Sequence, residues 1–172
     1  GPLPAPARGA PPGTTFASPE ELIWAPEAGR FFGTVLGGHP DFYSTPSSPP
    51  NTVGNLVVSL DAGGRSVLES WGQPHLCWIG SLAWDPAVGG LWLGCEYEPR
   101  LHFLGIDPWE LRATLELPPP ADLSALALGT GPAAGRLFAV SFWHGQDLLR
   151  IRTDPPVLEA RAALGGAAYD VV

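Results

Sequence analysis

A four-part pattern of short apolar runs recurs through this chain at an interval of about 46 residues. Asp61, Asp107 and Asp154, which end the third run of each copy, are 46 and 47 residues apart. The second runs, 91–93 and 137–139, are also 46 residues apart. Pro, Gly and Asp-Pro turns separate the runs. A chain with this period must fold as copies of one supersecondary unit.

Each copy supplies four predicted strands. Several runs are apolar at consecutive positions, which indicates strands covered on both faces. The predicted strands are 21–25, 31–33, 55–61 and 66–71 in the first copy, 81–85, 91–93, 101–107 and 112–117 in the second, and 124–128, 137–139, 148–154 and 157–164 in the third. The first copy also carries extra residues in a Pro/Ser-rich loop, 37–53.

This repeat predicts an all-β fold, a β-propeller of three four-stranded antiparallel blades. A helical repeat fails because every long stretch is interrupted by Pro or Gly, and a β-sandwich leaves the period unexplained. The predicted blades span about 16–72, 73–118 and 119–164, with the first strand of a further blade at 165–172. Residues 1–15, which contain five Pro, are expected to be a disordered leader.

The stretch LAWDPAVGGLWLG (82–94), followed by LHFLGIDPWELRATLELP (101–118), resembles the blades of YVTN-type propellers, a surface-layer-like and NHL-like class. In those blades a hairpin with Asp-Pro and Gly precedes a strand that ends in Asp. The closing GGAAYDVV (165–172) is similar to the start of another such blade. The resemblance implies the fold and very little about function.

Three blades are fewer than the 4 to 8 that usually close a propeller. We therefore expect the remaining blades to come from a longer chain or from homo-oligomerisation. The missing Met and the stop inside a strand-like run favour a longer chain.

Composition excludes some partners. The formal net charge is −8, and Arg is the only strongly basic residue type. Only Arg150 and Arg152 lie close together in the sequence, whereas a nucleic-acid surface needs concentrated positive charge. No apolar run approaches the roughly 18 residues that a membrane span needs. We expect neither nucleic-acid binding nor a membrane span.

The blade pattern also sorts the loops. Loops after second strands and after fourth strands share one rim, where propeller ligands usually bind, by analogy of fold. Polar and aromatic residues on these loops are the candidate binding residues: His39, Asp41, Phe42, Tyr43, His75, Glu96, Glu98, Asp122, Trp143, His144 and Asp147.

Four of these residues, His39, Glu96, His144 and Asp147, are candidate metal ligands. Imidazole with carboxylate suits transition metals such as zinc, and carboxylates alone suit calcium. The competing interpretation is that loop tips are polar because they meet water. We expect no cofactor, with a divalent metal, calcium or zinc, as the alternative.

The first functional hypothesis is a binding or scaffold module that holds a protein, peptide or glycan on this rim, aided by aromatic side chains and the 37–53 loop. No catalytic residue is assigned. One alternative is a metal-dependent hydrolase resembling lactonases. The other is a redox-partner subunit, since some YVTN-like propellers accompany periplasmic dehydrogenases. We expect an extracytoplasmic location, periplasmic or secreted.

Three further residues lie in or near the predicted strands. Extending the register of two neighbouring strands places Cys77 and Cys95 roughly 10 Å apart, which predicts buried free thiols. His102 alternates with apolar residues inside a strand and is expected to pack between blades.

Overall fold

The structure, a computed structural model, describes residues 15–38, 55–72, 76–119, 122–141 and 146–165. The chain divides into two compact units, Gly1–Ile79 and Gly80–Val172; in the described residues the first has one sheet and the second has two. The first unit contains β1–β4, and the second contains β5–β12, with β5 beginning at the boundary. In the described ranges no helix is long and apolar enough to cross a membrane.

Each strand overlaps its predicted run, and the bounds differ from the prediction by up to six residues at the ends. In the first unit they are β1 (Thr15–Ala25), β2 (Arg30–Gly38), β3 (Asn55–Leu60) and β4 (Val67–Trp71). The second unit adds β5 (Ile79–Asp85), β6 (Gly90–Cys95), β7 (Arg100–Ile106), β8 (Trp109–Glu116), β9 (Ala125–Leu128), β10 (Arg136–Ser141), β11 (Asp147–Thr153) and β12 (Pro156–Ala163).

Consecutive strands form three four-stranded sheets in the described residues, ordered β1-β2-β3-β4, β5-β6-β7-β8 and β9-β10-β11-β12. The paired strands are antiparallel. Each aligned aspartate directly follows the third strand of its sheet. One of them, Asp61, accepts a hydrogen bond from the Arg65 amide at 2.8 Å, and this bond lowers the pKa of the Asp61 carboxyl.

In the sheet of the first unit both faces of β3 are covered, since its apolar residues 56–58 are buried, but apolar side chains of β1 are exposed. Register places Phe32 and Val57 on one face, and both are fully buried. Leu22 and Trp24 lie on the opposite face with 59% and 45% exposure, and the Trp24 ring packs 4.8 Å from Phe31. The consecutive apolar residues of β3 are therefore covered on both faces, as their pattern predicts, whereas Leu22 and Trp24 of β1 are exposed.

The second unit is held together by one apolar core between its two sheets. Side chains from β5–β7 and from β9–β11 meet there, because alternate residues of each strand point to this face. Half-buried side chains of the outer strands complete the cluster. Its buried members are Ala83, Trp92, Leu101, Phe103, Leu117, Leu123, Leu126, Leu137, Ala139, Leu149 and Ile151.

Hydrogen bonds also join the two sheets where residues 122–124 lead into β9. The Ser81 hydroxyl donates to the Leu123 carbonyl at 2.7 Å, and the Leu123 amide donates to the Cys95 carbonyl at 2.8 Å. Gly94 makes this close approach possible, because a Cβ there would overlap Ser81 Oγ. Backbone polar groups of this buried segment are thereby satisfied.

The prediction of free thiols is wrong: Cys77 and Cys95 are both disulfide-bonded. The distance estimate assumed that the strand register extends to Cys77. The strand β5 begins only at Ile79, so Cys77 precedes it and is not held to that register.

His102 is buried, as its alternation with apolar residues predicts, but its polar contact lies within its own sheet. Its Nδ1 is 2.8 Å from the Thr114 hydroxyl on β8, directly across the strand pair. Burial lowers the pKa of His102, and the charge of Arg100 lowers it further, while Glu116 opposes the shift. We infer that the neutral imidazole is the form that the fold stabilises.

Because the pKa of His102 is lowered in the fold, we expect the protein to lose stability on mild acidification. The unfolded chain takes up a proton near pH 6.5, whereas folded His102 resists it, so the free energy of unfolding falls as pH drops below that value. We expect His102→Gln to weaken this dependence between pH 7.5 and 5.5. Urea unfolding of both proteins at several pH values measures it. Parallel pH profiles for the two proteins would contradict the assignment.

Candidate functional site

Four of the predicted rim residues lie in the described part of the second unit: Glu96, Glu98, Asp122 and Asp147. They lie at one end of its two sheets, where β6, β8 and β10 finish and β7, β9 and β11 begin. We call this end the rim end. The other seven, His39, Asp41, Phe42, Tyr43, His75, Trp143 and His144, lie outside the described residues.

Asp122 is fully buried at the rim end and holds the loop before β9 in place. Its Oδ1 accepts a hydrogen bond of 2.7 Å from the hydroxyl of Ser141, the last residue of β10. The Asp122 amide donates back to that hydroxyl at 3.3 Å. A carboxylate engaged in this way is not presented to solvent, so its observed role is to fix the loop.

Asp147 is also buried and is paired with a cation. Its Oδ2 accepts a hydrogen bond of 2.6 Å from Arg161 Nε on β12, and Arg161 Nη2 completes the ion pair. The same guanidinium donates to the Pro118 carbonyl at 3.3 Å, which links the end of β8 to β12. A partly buried pair of this kind positions backbone segments, and it occupies the carboxylate that the metal hypothesis needs.

Glu98 belongs to a charged cluster on the loop between β6 and β7. Arg100 donates to Glu98 at 2.8 Å and to Glu116 at 2.7 Å, so one guanidinium holds a carboxylate of the loop and a carboxylate of β8. The Leu117 amide donates to the Pro99 carbonyl at 2.7 Å. These bonds order the loop without any ligand.

Tyr97 is exposed to 47% on this ordered loop, between Glu96 and Glu98. Glu96 is half-buried, and its Cβ lies against Gly80, where an added Cβ would come within 2.9 Å. The Tyr97 ring offers an apolar contact, and beside it Glu98 and Glu116 share the one guanidinium of Arg100, which leaves an excess of negative charge. Of the described rim residues, these are the ones placed to meet a partner.

Acidic residues at the rim end therefore have different roles. Asp122 and Asp147 are buried and bonded to Ser141 and Arg161, whereas the segment 96–98 reaches the surface. Sequence reasoning missed Ser141 and Arg161, since neither has a local signal that would pair it with a distant aspartate. Within the described residues, the Asp147 carboxylate is bonded to the Arg161 guanidinium and not to an imidazole group.

A second buried carboxylate network lies at the opposite end of the sheet β5–β8. Asp85, 2% exposed, accepts a hydrogen bond of 3.1 Å from Trp92 Nε1 at Oδ2 and another of 3.1 Å from the Ala87 amide at Oδ1. The Gly89 amide donates to the Asp85 carbonyl at 2.9 Å and closes the turn. The sequence pattern indicated the turn but not the indole partner.

No protein-family model and no curated protein matches this chain. Solved structures match at low sequence identity. A chain of the mitotic checkpoint complex is 12% identical with a TM-score of 0.62, over 90% of this chain and 42% of that one. The Cps50 (Swd1) β-propeller domain of Myceliophteria thermophila is 14% identical with a TM-score of 0.53, over 89% and 41%. Sqt1 of Saccharomyces cerevisiae is 15% identical with a TM-score of 0.57, over 86% and 35%.

These likenesses show the fold. The four-stranded sheets are blades of a β-propeller, which confirms the fold class predicted from the 46-residue repeat. This chain spans about two fifths or less of the length of those solved chains. The narrower resemblance to YVTN-type blades stays a prediction.

Proposed function

We propose that this chain is a protein-binding module that recognises its partner at the rim end, with Tyr97 as the central contact. The observation that carries the proposal is an exposed tyrosine on a loop that Arg100 and the Pro99–Leu117 hydrogen bond already hold in shape. Tyrosine is enriched among residues that dominate binding energy. An ordered loop loses little conformational entropy when a partner binds.

The fold supports this proposal as well. One of the similar solved chains was determined within a protein assembly, the mitotic checkpoint complex. The buried pairs Asp122–Ser141 and Asp147–Arg161 give the rim end a fixed framework. On this framework the exposed Tyr97 ring lies next to Glu98, which shares the single guanidinium of Arg100 with Glu116, so the cluster keeps an excess of negative charge. A peptide with an apolar side chain beside a basic one complements this surface.

A peptide library displayed on phage and selected on the intact chain tests the proposal. We expect enriched peptides that carry an apolar and a basic residue, and we expect their Kd to rise at least about tenfold for Tyr97→Ala. Val88→Ala is the matched control, because Val88 is 39% exposed on the loop at the opposite end of the same sheet. Peptides that bind Tyr97→Ala as tightly as the wild type, or no enrichment at all, would contradict the proposal.

The extracytoplasmic location remains part of the proposal. Its support is that both cysteines are disulfide-bonded, since disulfides persist mainly in oxidising compartments. Fractionation of the source cells tests it, and recovery from the cytosol with free thiols would contradict it. The hydrolase, the redox-partner and the metal hypotheses stay predictions, as do glycan ligands.

A further inference from the structure

A buried histidine lies next to the charged cluster at the rim end. Arg100 and His102 are two residues apart on β7, so their side chains point to the same face of the sheet, at positions about 6.5–7 Å apart. On β8, Glu116 lies directly opposite Arg100, and Thr114 lies directly opposite His102. The fold therefore places a titratable imidazole beside the ion pairs that hold the loop between β6 and β7.

The charged cluster has an excess of one negative charge. The carboxylates of Glu98 and Glu116 share the single guanidinium of Arg100, so two negative charges meet one positive charge. A proton on His102 adds a second positive charge beside them and cancels the excess. An acidic surface attracts a basic partner less strongly once its charge is cancelled. The protonation state of His102 therefore sets the net charge that a partner meets at this cluster.

Three of the described residues that face His102 carry no charge. Thr114 Oγ1 is 2.8 Å from His102 Nδ1, and Leu93 lies directly opposite His102 on β6. The Cys95 sulfur lies within 4.8 Å of a ring nitrogen of His102, and it has no titratable thiol because Cys95 is disulfide-bonded. None of these three residues competes with the imidazole for a proton.

Two charged residues of the cluster also act on the His102 ring, in opposite directions. Burial lowers the pKa of His102 most, Arg100 lowers it further, and Glu116 opposes the shift. The ring is therefore neutral near neutral pH and takes up a proton only as the pH falls below 6.5, the ordinary pKa of histidine. The cluster thus keeps its negative charge near neutral pH and loses it on acidification.

We propose that His102 makes the rim end a pH-sensitive binding surface, on which protonation of the imidazole weakens the binding of a basic peptide and releases it. This inference rests on the proposed function, because it assigns a regulation to the same surface. His102 acts through the charge of the cluster and does not itself contact the peptide. Coupling between two binding events is reciprocal, so a bound basic peptide also lowers the affinity of His102 for its proton.

The peptides selected on the intact chain test the inference when their Kd is measured from about pH 7.5 down to about pH 5.0. We expect the Kd of a peptide with a basic residue to rise at least about fivefold for the wild type and less than about twofold for His102→Gln. The same peptide with Gln in place of its basic residue is the control and should show no such rise. His39, His75 and His144 remain in His102→Gln, so a dependence that they cause persists in that variant. Circular dichroism at each pH shows that both proteins are folded.

Nuclear magnetic resonance of the His102 ring, assigned by comparison with His102→Gln, measures the reciprocal effect. We expect a saturating basic peptide to lower the proton affinity of the ring at least about fivefold. Equal pH dependence of the Kd in the wild type and in His102→Gln, or a ring that stays neutral throughout the pH range, would overturn this inference and leave the proposed function intact. Absence of peptide binding at neutral pH would instead contradict the proposed function, and this inference with it.

Discussion

Trp92→Ala should lower the free energy of unfolding by about 3–5 kcal/mol, the largest effect that we expect from a single substitution in this chain. The indole is 2% exposed in the core of the second unit and packs 4.8 Å from the Phe103 ring. Its truncation leaves a cavity between the two sheets. It also leaves the buried Asp85 carboxylate without the Trp92 Nε1 donor, which lies 3.1 Å away.

Trp92→Phe separates these two causes. Phenylalanine fills most of the volume but cannot donate to Asp85, so we expect a loss of about 1–3 kcal/mol. Urea unfolding followed by circular dichroism measures both values. Trp24→Ala is the matched control, since Trp24 is 45% exposed and its truncation should cost less than about 1.5 kcal/mol. If Trp92→Ala costs no more than Trp24→Ala, the core position assigned to Trp92 is wrong.

Gly94→Ala should destabilise the second unit by about 1–3 kcal/mol, although it adds only one methyl group. A Cβ at Gly94 would overlap Ser81 Oγ and lie 2.7 Å from Leu123 Cβ. Those atoms belong to the point where Ser81 and Cys95 hold Leu123 by hydrogen bonds. The two sheets must separate or shift there to admit the methyl group.

Gly63→Ala is the control for that substitution. Gly63 has no positive φ, and the nearest atom to an added Cβ is Asp61 Oδ1 at 3.5 Å, an ordinary contact. Its effect on unfolding should stay within about 0.5 kcal/mol. The thermal midpoint of each variant, compared with the wild type, gives the result. Equal midpoints for the two variants would show that the sheets do not approach as closely at Gly94 as described.

Strand positions and turns were predictable from the sequence because both depend on local chemistry. Apolar runs of strand length, separated by Pro, Gly and Asp, reproduced all the strands of the described sheets. The 46-residue spacing then divided the strands into three sheets of four, and the short turns between most consecutive strands gave their antiparallel order. Strand positions and turns can be predicted without knowing which side chains contact one another.

Pairing between distant side chains was decided by the tertiary structure alone. Asp122 and Asp147 resemble solvent-exposed loop residues in the sequence, yet register and sheet packing bury them against Ser141 and Arg161. The same register brings Arg136 beside Arg152, 16 positions along the chain. A repeat fixes spacing along the chain, whereas contacts across strands and between sheets depend on burial and charge in three dimensions, which no local pattern encodes.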